Sequence, residues 1–217
     1  MTGKRYVRRL DDAQFLFRAE GEPGSPKTII LSGYAAVFDE PTVLAANDEK
    51  LGRITEVVRP GAFARAIREG QDVRCLVDHN PTLLLGRTKA GTLNLIEDER
   101  GLKFEVTLPD TTTARDLHEN IRLGNASQCS FAFSPAPNGE AKSTSQEGGT
   151  RVTHIELTDV DLYDVSIVTY PAYAGTTVSI EARCRAIADR PGRVSRRNTR
   201  KAAAIRLADH LLKRRGK

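Results

Sequence analysis

The sequence contains no tryptophan and one methionine among its 217 residues, so a hydrophobic core has to be built from aliphatic side chains and seven phenylalanines. Its three cysteines (Cys75, Cys129 and Cys184) are far apart and form no CxxC pair, and we therefore expect reduced thiols in a reducing compartment. No run of about 18 uncharged apolar residues occurs, so we expect no membrane-spanning helix. The basic N-terminal region lacks the apolar core of a signal peptide, so we expect no export.

The chain also lacks the residue spacings that bind metals. Its four histidines and three cysteines form no HxH, HExxH or CxxC group, whereas protein zinc sites use such closely spaced ligands. We therefore expect no metal and no other cofactor. The GxSxG elbow of the α/β hydrolases is absent as well, so a nucleophilic serine would have to act from a different fold.

Charge is distributed unevenly along the sequence. Residues 182–217 contain 13 lysine and arginine residues and two aspartates, a net charge of about +11, whereas the whole chain carries +5. The preceding 181 residues are therefore mildly acidic, at about −6. Because the basic character belongs to the C-terminal segment, nucleic-acid binding is expected only through that segment.

Alternating apolar residues predict a β-rich α+β domain, closed or nearly closed as a β-barrel, with a few short surrounding helices. Two helices are expected at 59–70 and 110–124, where proline or threonine precedes an apolar repeat and glycine follows it. A polar Gly/Ser/Thr stretch at 138–150 predicts an exposed, mobile loop. The predicted strands are 27–36, 54–58, 72–80, two strands within 91–110, 127–134, 151–157, 161–170 and 176–182.

The composition divides the chain into three parts. Residues 1–26 are predicted to be an N-terminal extension, and residues 27–182 the β-rich domain. Residues 183–217 are a basic tail that begins as a linker poor in apolar residues. The tail ends in a segment at 202–215 whose alanine, isoleucine and leucine residues fall on one stripe, the spacing of an amphipathic helix.

Ser130 lies in the strand-like segment QCSFAFS. With a period of two, Cys129 and the two phenylalanines share the face that points to the core, and Ser130, Ala132 and Ser134 share the other face. A row of such small side chains accommodates a ligand, another chain or a packed element of the same fold. Periodicity alone favours the packing role.

His79 is the candidate base, since a serine hydroxyl becomes a nucleophile when a neighbouring base takes its proton. It ends the apolar segment LVDHNP, where a strand fixes the backbone and the strand end exposes the ring. A hydrogen-bonded histidine with no chemical role fits the same position. Of the remaining histidines, His118 is interpreted as a solvated helix residue, His154 as a surface or packing residue of a strand, and His210 as a surface residue of the tail.

Asp164 is the candidate third member, because burying an acidic residue inside an apolar strand costs free energy and is expected only where the carboxylate has a role. In LYDVSIV it shares a face with Ser166 and Val168. Its alternative role is that of an edge-strand charge that blocks aggregation. Asp78 neighbours His79 but points to the opposite face of the strand, which makes it the weaker third member.

Six segments of the chain, taken in their order along the sequence, indicate a resemblance to a protein family. They are GYAAVFDE, EVVRPGAFARAI, LVDHNPTLLLGRT, LNLIEDERGLKFEVTLPDTTTARDL, IRLGNASQCSFAF and LTDVDLYDVSIVTYPAYAGTTV. Taken in this order, from about residue 31 to 180, they resemble the prohead (capsid maturation) proteases of tailed phages. That family is related in fold to the herpesvirus assembly proteases.

The resemblance implies a serine peptidase with Ser130 as nucleophile and His79 as base. The family's acidic position before VS corresponds to Asp164. The herpesvirus relatives use a second histidine as third member, and this chain has none in a matching motif. Acyl transfer also needs donors for the oxyanion, and the candidates for oxyanion or substrate support are Arg87 and Arg151.

The resemblance also implies a setting for the reaction. The enzyme would act in the host cytoplasm inside the assembling procapsid, where it would cut scaffold or the scaffold-like part of the major capsid protein and process itself. Self-association as a dimer is implied by the same family. The alternative is a non-catalytic capsid-assembly or scaffold-binding protein on the same fold.

Overall fold

The computed structural model describes residues 5–10, 13–21, 28–48 and 51–169. Within these ranges the chain forms thirteen β-strands, two α-helices and one 3-10 turn, which confirms the β-rich prediction with few helices. The strands are β1 (Tyr6–Leu10), β2 (Leu16–Glu20), β3 (Thr28–Val37), β4 (Thr42–Asp48), β5 (Gly52–Val58), β6 (Arg74–Val77), β7 (Asn80–Arg87), β8 (Leu93–Glu97), β9 (Gly101–Thr107), β10 (Gln128–Pro135), β11 (Glu140–Glu147), β12 (Thr150–Leu157) and β13 (Val160–Val168). The helices are α1 (Ala64–Arg68) and α2 (Thr112–Arg122), and the 3-10 turn is Thr88–Ala90.

Several predictions concern residues outside the described ranges. They are the strand at 176–182, the domain boundary near 182, the linker and the amphipathic segment at 202–215, and with them Cys184 and His210.

The described strands form three sheets. The first has five strands in the order β1-β10-β13-β6-β7, the second has the order β11-β12-β5-β4, and the third has the order β2-β3-β9-β8. Neighbouring strands are antiparallel except for the pairs β12–β5 and β13–β6. β1 and β2, which lie in the predicted N-terminal extension, pair with β10 and β3 respectively.

The expectation of a closed or nearly closed barrel is wrong for the described part of the chain. A closed barrel requires every strand to be hydrogen-bonded on both sides, whereas each of these three sheets ends in two strands with one neighbour. β11 is one of these edge strands, and its polar and charged side chains discourage pairing with a further strand.

The polar stretch predicted as a mobile loop at 138–150 instead forms β11 and the turn into β12. β11 is paired with β12 along its whole length. Gly148 and Gly149 have φ values of +58° and +82°, the left-handed backbone that a two-residue hairpin turn needs and that glycine adopts readily. The composition of this stretch indicated a loop, but its pairing partner makes it a polar edge strand.

Helix α2 forms where the sequence predicts it. The Thr111 hydroxyl caps its first turn and accepts a hydrogen bond from the Ala114 amide at 3.3 Å. Gly124 follows the last turn with a left-handed φ of +78°. Ala114 and Leu117 are buried, so the apolar side of the helix covers the core. Helix α1 is shorter than the segment predicted for it at 59–70.

Phenylalanines occupy the centre of the hydrophobic core. The Phe63 ring meets the Phe131 ring edge-on at a centroid distance of 5.4 Å, and Phe131 lies 5.2 Å from Phe133. Both rings of β10 and Cys129 are buried, which confirms the core face predicted for this strand. In the described ranges, no helix has the length and apolar character needed to cross a membrane.

Candidate active site

The five-stranded sheet brings Ser130, His79 and Asp164 into one hydrogen-bonded chain. Ser130 lies on β10, Asp164 lies on the central strand β13, and His79 follows β6 on the other side of β13. The His79 Nε2 atom lies 2.7 Å from Ser130 Oγ, and its Nδ1 atom lies 2.6 Å from Asp164 Oδ1. The imidazole therefore bridges a hydroxyl and a carboxylate, each within hydrogen-bond distance.

The backbone that carries His79 is a tight turn and not the end of a strand. Val77 of β6 is paired with Asn80 of β7, so Asp78 and His79 form a two-residue hairpin turn. Both residues have left-handed backbone, with φ values of +50° and +55°. Such a conformation costs about 1–3 kcal/mol for a residue with a side chain and is kept only where surrounding contacts impose it.

Asp78 supplies contacts that hold this turn against the end of β13. Its amide donates to the Ile167 carbonyl at 2.9 Å, and its Oδ1 atom accepts a hydrogen bond from the Thr169 amide at 3.0 Å. Asp78, which we considered as the weaker third member, therefore anchors the turn, whereas Asp164 is the residue that contacts the imidazole.

The register of β13 on β10 places Asp164 on the face of the sheet that carries Ser130. Ala132 of β10 is paired with Asp164, and the next residue of β10 is paired with Leu162, so Tyr163 is one extra residue on β13. The bulge lies beyond Asp164, and from Gln128 to Ala132 the pairing is regular, with Ser130 opposite Ser166. Asp164 is therefore on the same face of the sheet as Ser130, while Val165 points into the core.

The Asp164 carboxylate is fully buried and fully engaged. Its Oδ1 atom accepts hydrogen bonds from His79 Nδ1 and from the Ser166 hydroxyl at 2.8 Å. Its Oδ2 atom accepts from the Arg5 guanidinium. A buried charge needs such partners. Because β13 is the central strand of its sheet, the alternative role of an edge-strand charge does not apply to Asp164.

The His79 imidazole is neutral near pH 7. Its pKa is lowered from 6.5 to about 4, first by burial and second by the Arg5 guanidinium, while the Asp78 carboxylate acts in the opposite direction. A carboxylate oxygen can only accept, so the single ring proton is on Nδ1, toward Asp164. Nε2 is then free to accept the proton of the Ser130 hydroxyl.

Ser130 is only 2% exposed, and β1 runs beside it as the neighbouring strand of the same sheet. Its Oγ atom is 2.8 Å from the Arg8 carbonyl oxygen as well as 2.7 Å from His79 Nε2. A hydroxyl has one proton to donate. The Arg8 carbonyl therefore competes with His79 for that proton, a feature that no sequence pattern indicated.

The structure does not bring either predicted arginine into this group. Arg87 lies on the edge strand β7 and forms a two-pronged ion pair with Asp72, with both N–O distances 2.6 Å. Arg151 lies on β12, which belongs to the second sheet.

Of the two other described histidines, His118 is less solvated than predicted, whereas His154 has the packing role that was one of its two predicted roles. The His118 ring packs edge-on against Phe17 at a centroid distance of 4.3 Å. His154 is buried between hydroxyls, with Nδ1 at 2.9 Å from Thr55 Oγ1 and Nε2 at 3.0 Å from Ser145 Oγ. Among the described residues, no group of three or more histidine, cysteine or acidic side chains is arranged to hold a metal ion.

Comparison with known proteins supports the resemblance inferred from the six segments. A family model described as the caudovirus prohead serine protease matches residues 16–190. The solved structure of the bacteriophage T4 capsid assembly protease, gp21, is similar over 77% of this chain and 99% of that chain, with 11% sequence identity and a TM-score of 0.44. The comparison with curated proteins gives no match.

Proposed function

Since the chain belongs to the caudovirus prohead serine protease family, we propose that it is a serine endopeptidase of procapsid maturation with Ser130, His79 and Asp164 as its catalytic residues. The observation that carries this proposal is the position of the His79 ring, 2.7 Å from Ser130 Oγ and 2.6 Å from Asp164 Oδ1. Nucleophile, base and orienting carboxylate need this connectivity for acyl transfer.

In the proposed reaction, His79 Nε2 takes the proton of the Ser130 hydroxyl as Oγ attacks the scissile carbonyl carbon. The C–N bond then breaks, the leaving amine takes the proton from His79, and the acyl group remains on Oγ as an ester. Water next attacks the ester and gives a proton to His79, which returns it to Oγ as the acid leaves. Asp164 keeps Nδ1 protonated and stabilises the imidazolium that forms in each half of the reaction.

The proposed substrates are the scaffold protein or the scaffold-like part of the major capsid protein, and the chain itself. The family description supports a protease that acts within the prohead, that is, inside the assembling procapsid in the host cell. Enclosure with the substrate gives a high effective concentration, so a modest intrinsic rate suffices. Self-association as a dimer is part of the same proposal.

The alternative, a non-catalytic assembly protein on the same fold, is less well supported by the site. Binding to scaffold requires neither a buried carboxylate hydrogen-bonded to an imidazole nor a histidine on a turn with left-handed backbone. Both features cost free energy, and both serve to orient the His79 ring toward Ser130.

Replacing Ser130 or His79 with alanine is expected to abolish cleavage of the scaffold or capsid protein, with a rate reduction of about 10³-fold or more. The measurement is the rate of product formation on a gel, together with covalent labelling by a fluorophosphonate reagent. Ser134→Ala is the matched control, because Ser134 lies on the same strand and donates or accepts one hydrogen bond with the Tyr163 hydroxyl at 2.8 Å. Cleavage that persists in Ser130→Ala at the wild-type rate would contradict the assignment of the nucleophile.

The basic tail gives a second expected result, self-cleavage. We propose that residues 183–217 dock the enzyme to scaffold or to the capsid interior and are released by a cut in the linker, because the +11 charge of residues 182–217 contrasts with the acidic remainder. Intact mass spectrometry should show loss of the tail in wild type and an intact chain in Ser130→Ala. If both keep the tail under conditions where the capsid protein is cut, the release step is wrong. A DNA-binding tail would instead give steeply salt-dependent binding that disappears when residues 183–217 are removed.

A further inference from the structure

Arg5, which contacts Asp164, lies outside the segment that the family model matches, residues 16–190. Arg5 precedes β1, and its guanidinium pairs with the Oδ2 atom of Asp164. The other oxygen of the same carboxylate, Oδ1, is the acceptor for His79. The N-terminal strand of this chain thus delivers a fixed positive charge to the carboxylate that orients the base.

The Arg5 side chain is held in place although it is 51% exposed. Its guanidinium carbon lies 5.3 Å from the centroid of the Tyr163 ring, the residue that forms the bulge beside Asp164. Directly after Arg5, the pairing of Tyr6 with Phe133 begins the register of β1 on β10. Backbone pairing and a cation–π contact therefore direct the guanidinium toward Asp164.

We propose that Arg5 is a positioning residue that acts on the Ser130–His79 pair through Asp164, by fixing the carboxylate and offsetting its negative charge. This inference rests on the proposed function, since it concerns the same site. A hydrogen bond between a guanidinium and a carboxylate is charge-assisted, and it favours one orientation of the carboxylate. It also weakens the attraction of the carboxylate for an imidazolium, so the base stays neutral to lower pH than it would beside an unpaired aspartate.

The charged groups around His79 determine the direction in which removal of Arg5 shifts the pKa of the imidazole. Asp164 faces the ring from β13, Asp78 lies beside it in the same turn, and Arg5 approaches from the start of β1. Arg74 on β6 is near enough to lower the pKa of Arg5, but its own described partners are the carboxylate and carbonyl of Asp72. Removing Arg5 would leave two carboxylates acting on the imidazole, and both of them favour its protonated form.

The test is an NMR titration of the His79 imidazole in protein carrying Ser130→Ala, which prevents self-cleavage. We expect this resonance, identified by its loss in His79→Gln, to titrate near pH 4 in the reference protein. Arg5→Gln and Arg5→Met should each raise the pKa by about one unit. Arg5→Lys, which keeps the charge, should restore the low value, and Arg74→Gln on the same sheet should leave it unchanged.

In protein with Ser130 intact, the acid limb of kcat/KM should move to higher pH in Arg5→Gln by the same amount as the pKa of His79. Thermal unfolding of each variant checks that the fold is kept. A His79 pKa that is the same in the reference protein, Arg5→Gln and Arg5→Met would overturn the proposal for Arg5, while the assignment of Ser130 would stand. If Ser130→Ala remains active, the proposed function fails, and the titration still decides the role of Arg5.

Discussion

Replacing Asp164 with asparagine is expected to lower kcat for peptide cleavage by about 10⁴-fold while the protein remains folded. Asparagine has nearly the same shape as aspartate, so the packing around this buried position is kept. The change removes the negative charge that stabilises the imidazolium. It also replaces one acceptor oxygen by an NH₂ group, which can only donate.

The surroundings of Asp164 decide where that NH₂ group goes. Arg5 donates to Oδ2, and a guanidinium has no acceptor, so the amide oxygen has to face Arg5. The NH₂ group then faces His79 Nδ1 and the Ser166 hydroxyl. A donor at this place forces Nδ1 to accept, and the ring proton moves to Nε2. His79 can no longer accept the proton of Ser130, which is the step on which the attack depends.

The measurement is kcat with a peptide substrate under saturating conditions. Ser166→Ala is the matched control, because it removes a neutral donor from the same oxygen at 2.8 Å and keeps the charge and the tautomer. One hydrogen bond to a charged group contributes about 1.5–3 kcal/mol, so this control should lose about 10- to 100-fold. Equal rates for Asp164→Asn and Ser166→Ala would mean that Asp164 does not set the tautomer of His79.

The sequence predicted the face of β10 correctly but not what covers it. Alternation placed Cys129 and two phenylalanines in the core and Ser130 on the opposite face, and both assignments hold. The small side chains of the second face suggested room for a ligand or chain. The groups that contact Ser130 are the His79 ring and the Arg8 carbonyl of the neighbouring strand β1, which are 51 and 122 residues away along the chain. Local periodicity contains no information on such contacts.

His79 was predicted to stand at the end of a strand, but it lies in a two-residue hairpin turn. The strand predicted at 72–80 is instead β6, which ends at Val77, followed by the turn into β7, and Pro81 lies in β7, an edge strand in which a missing amide donor is tolerated. Asp78 and His79 take the left-handed backbone that usually calls for glycine or asparagine. The pattern thus predicted that His79 stands at the end of a strand, while the geometry of the turn depends on contacts with the end of β13.

Asp164 was identifiable because a charge inside an apolar strand is unusual, and alternation also predicted that Ser166 shares its face, where the Ser166 hydroxyl donates to Oδ1. Arg5 carried no such signal, since an arginine near the beginning of a basic segment is unremarkable. For the strands that the structure describes, closure into a barrel was predicted wrongly for a related reason. Alternation predicts strands, but whether the last strand pairs with the first depends on long-range register, which alternation does not encode.

Glu56→Ala is expected to lower the free energy of unfolding by about 3–5 kcal/mol. Glu56 on β5 pairs with Arg8 on β1, with Arg8 Nη2 at 3.1 Å from Oε2 and Arg8 Nε donating to Oε1. The two side chains are 2% and 7% exposed. Alanine would leave the buried guanidinium without this carboxylate, and an uncompensated buried charge accounts for most of the expected loss.

Urea unfolding followed by circular dichroism measures this effect, and Glu119→Ala provides the control. Glu119 pairs with Arg122 on the surface of α2, where the two side chains are 54% and 61% exposed. An exposed pair on one helix contributes about 0.3–0.5 kcal/mol. A loss below about 1 kcal/mol for Glu56→Ala would contradict the view that this pair is a buried unit.

The double variant Arg8→Met with Glu56→Leu distinguishes two quantities: the net contribution of the ion pair to the free energy of unfolding, and the loss of stability when only one partner is removed. With both charges replaced by apolar groups of similar volume, stability should be closer to wild type than in Glu56→Ala alone. The pair joins β1 to β5, and thus the five-stranded sheet to the second sheet.

The same pair affects access to Ser130, because the Arg8 carbonyl oxygen lies within hydrogen-bond distance of Ser130 Oγ. Glu56→Ala should loosen β1 and therefore speed the labelling of Ser130 by fluorophosphonate, although it destabilises the fold. The double variant should be labelled at a rate nearer to that of wild type.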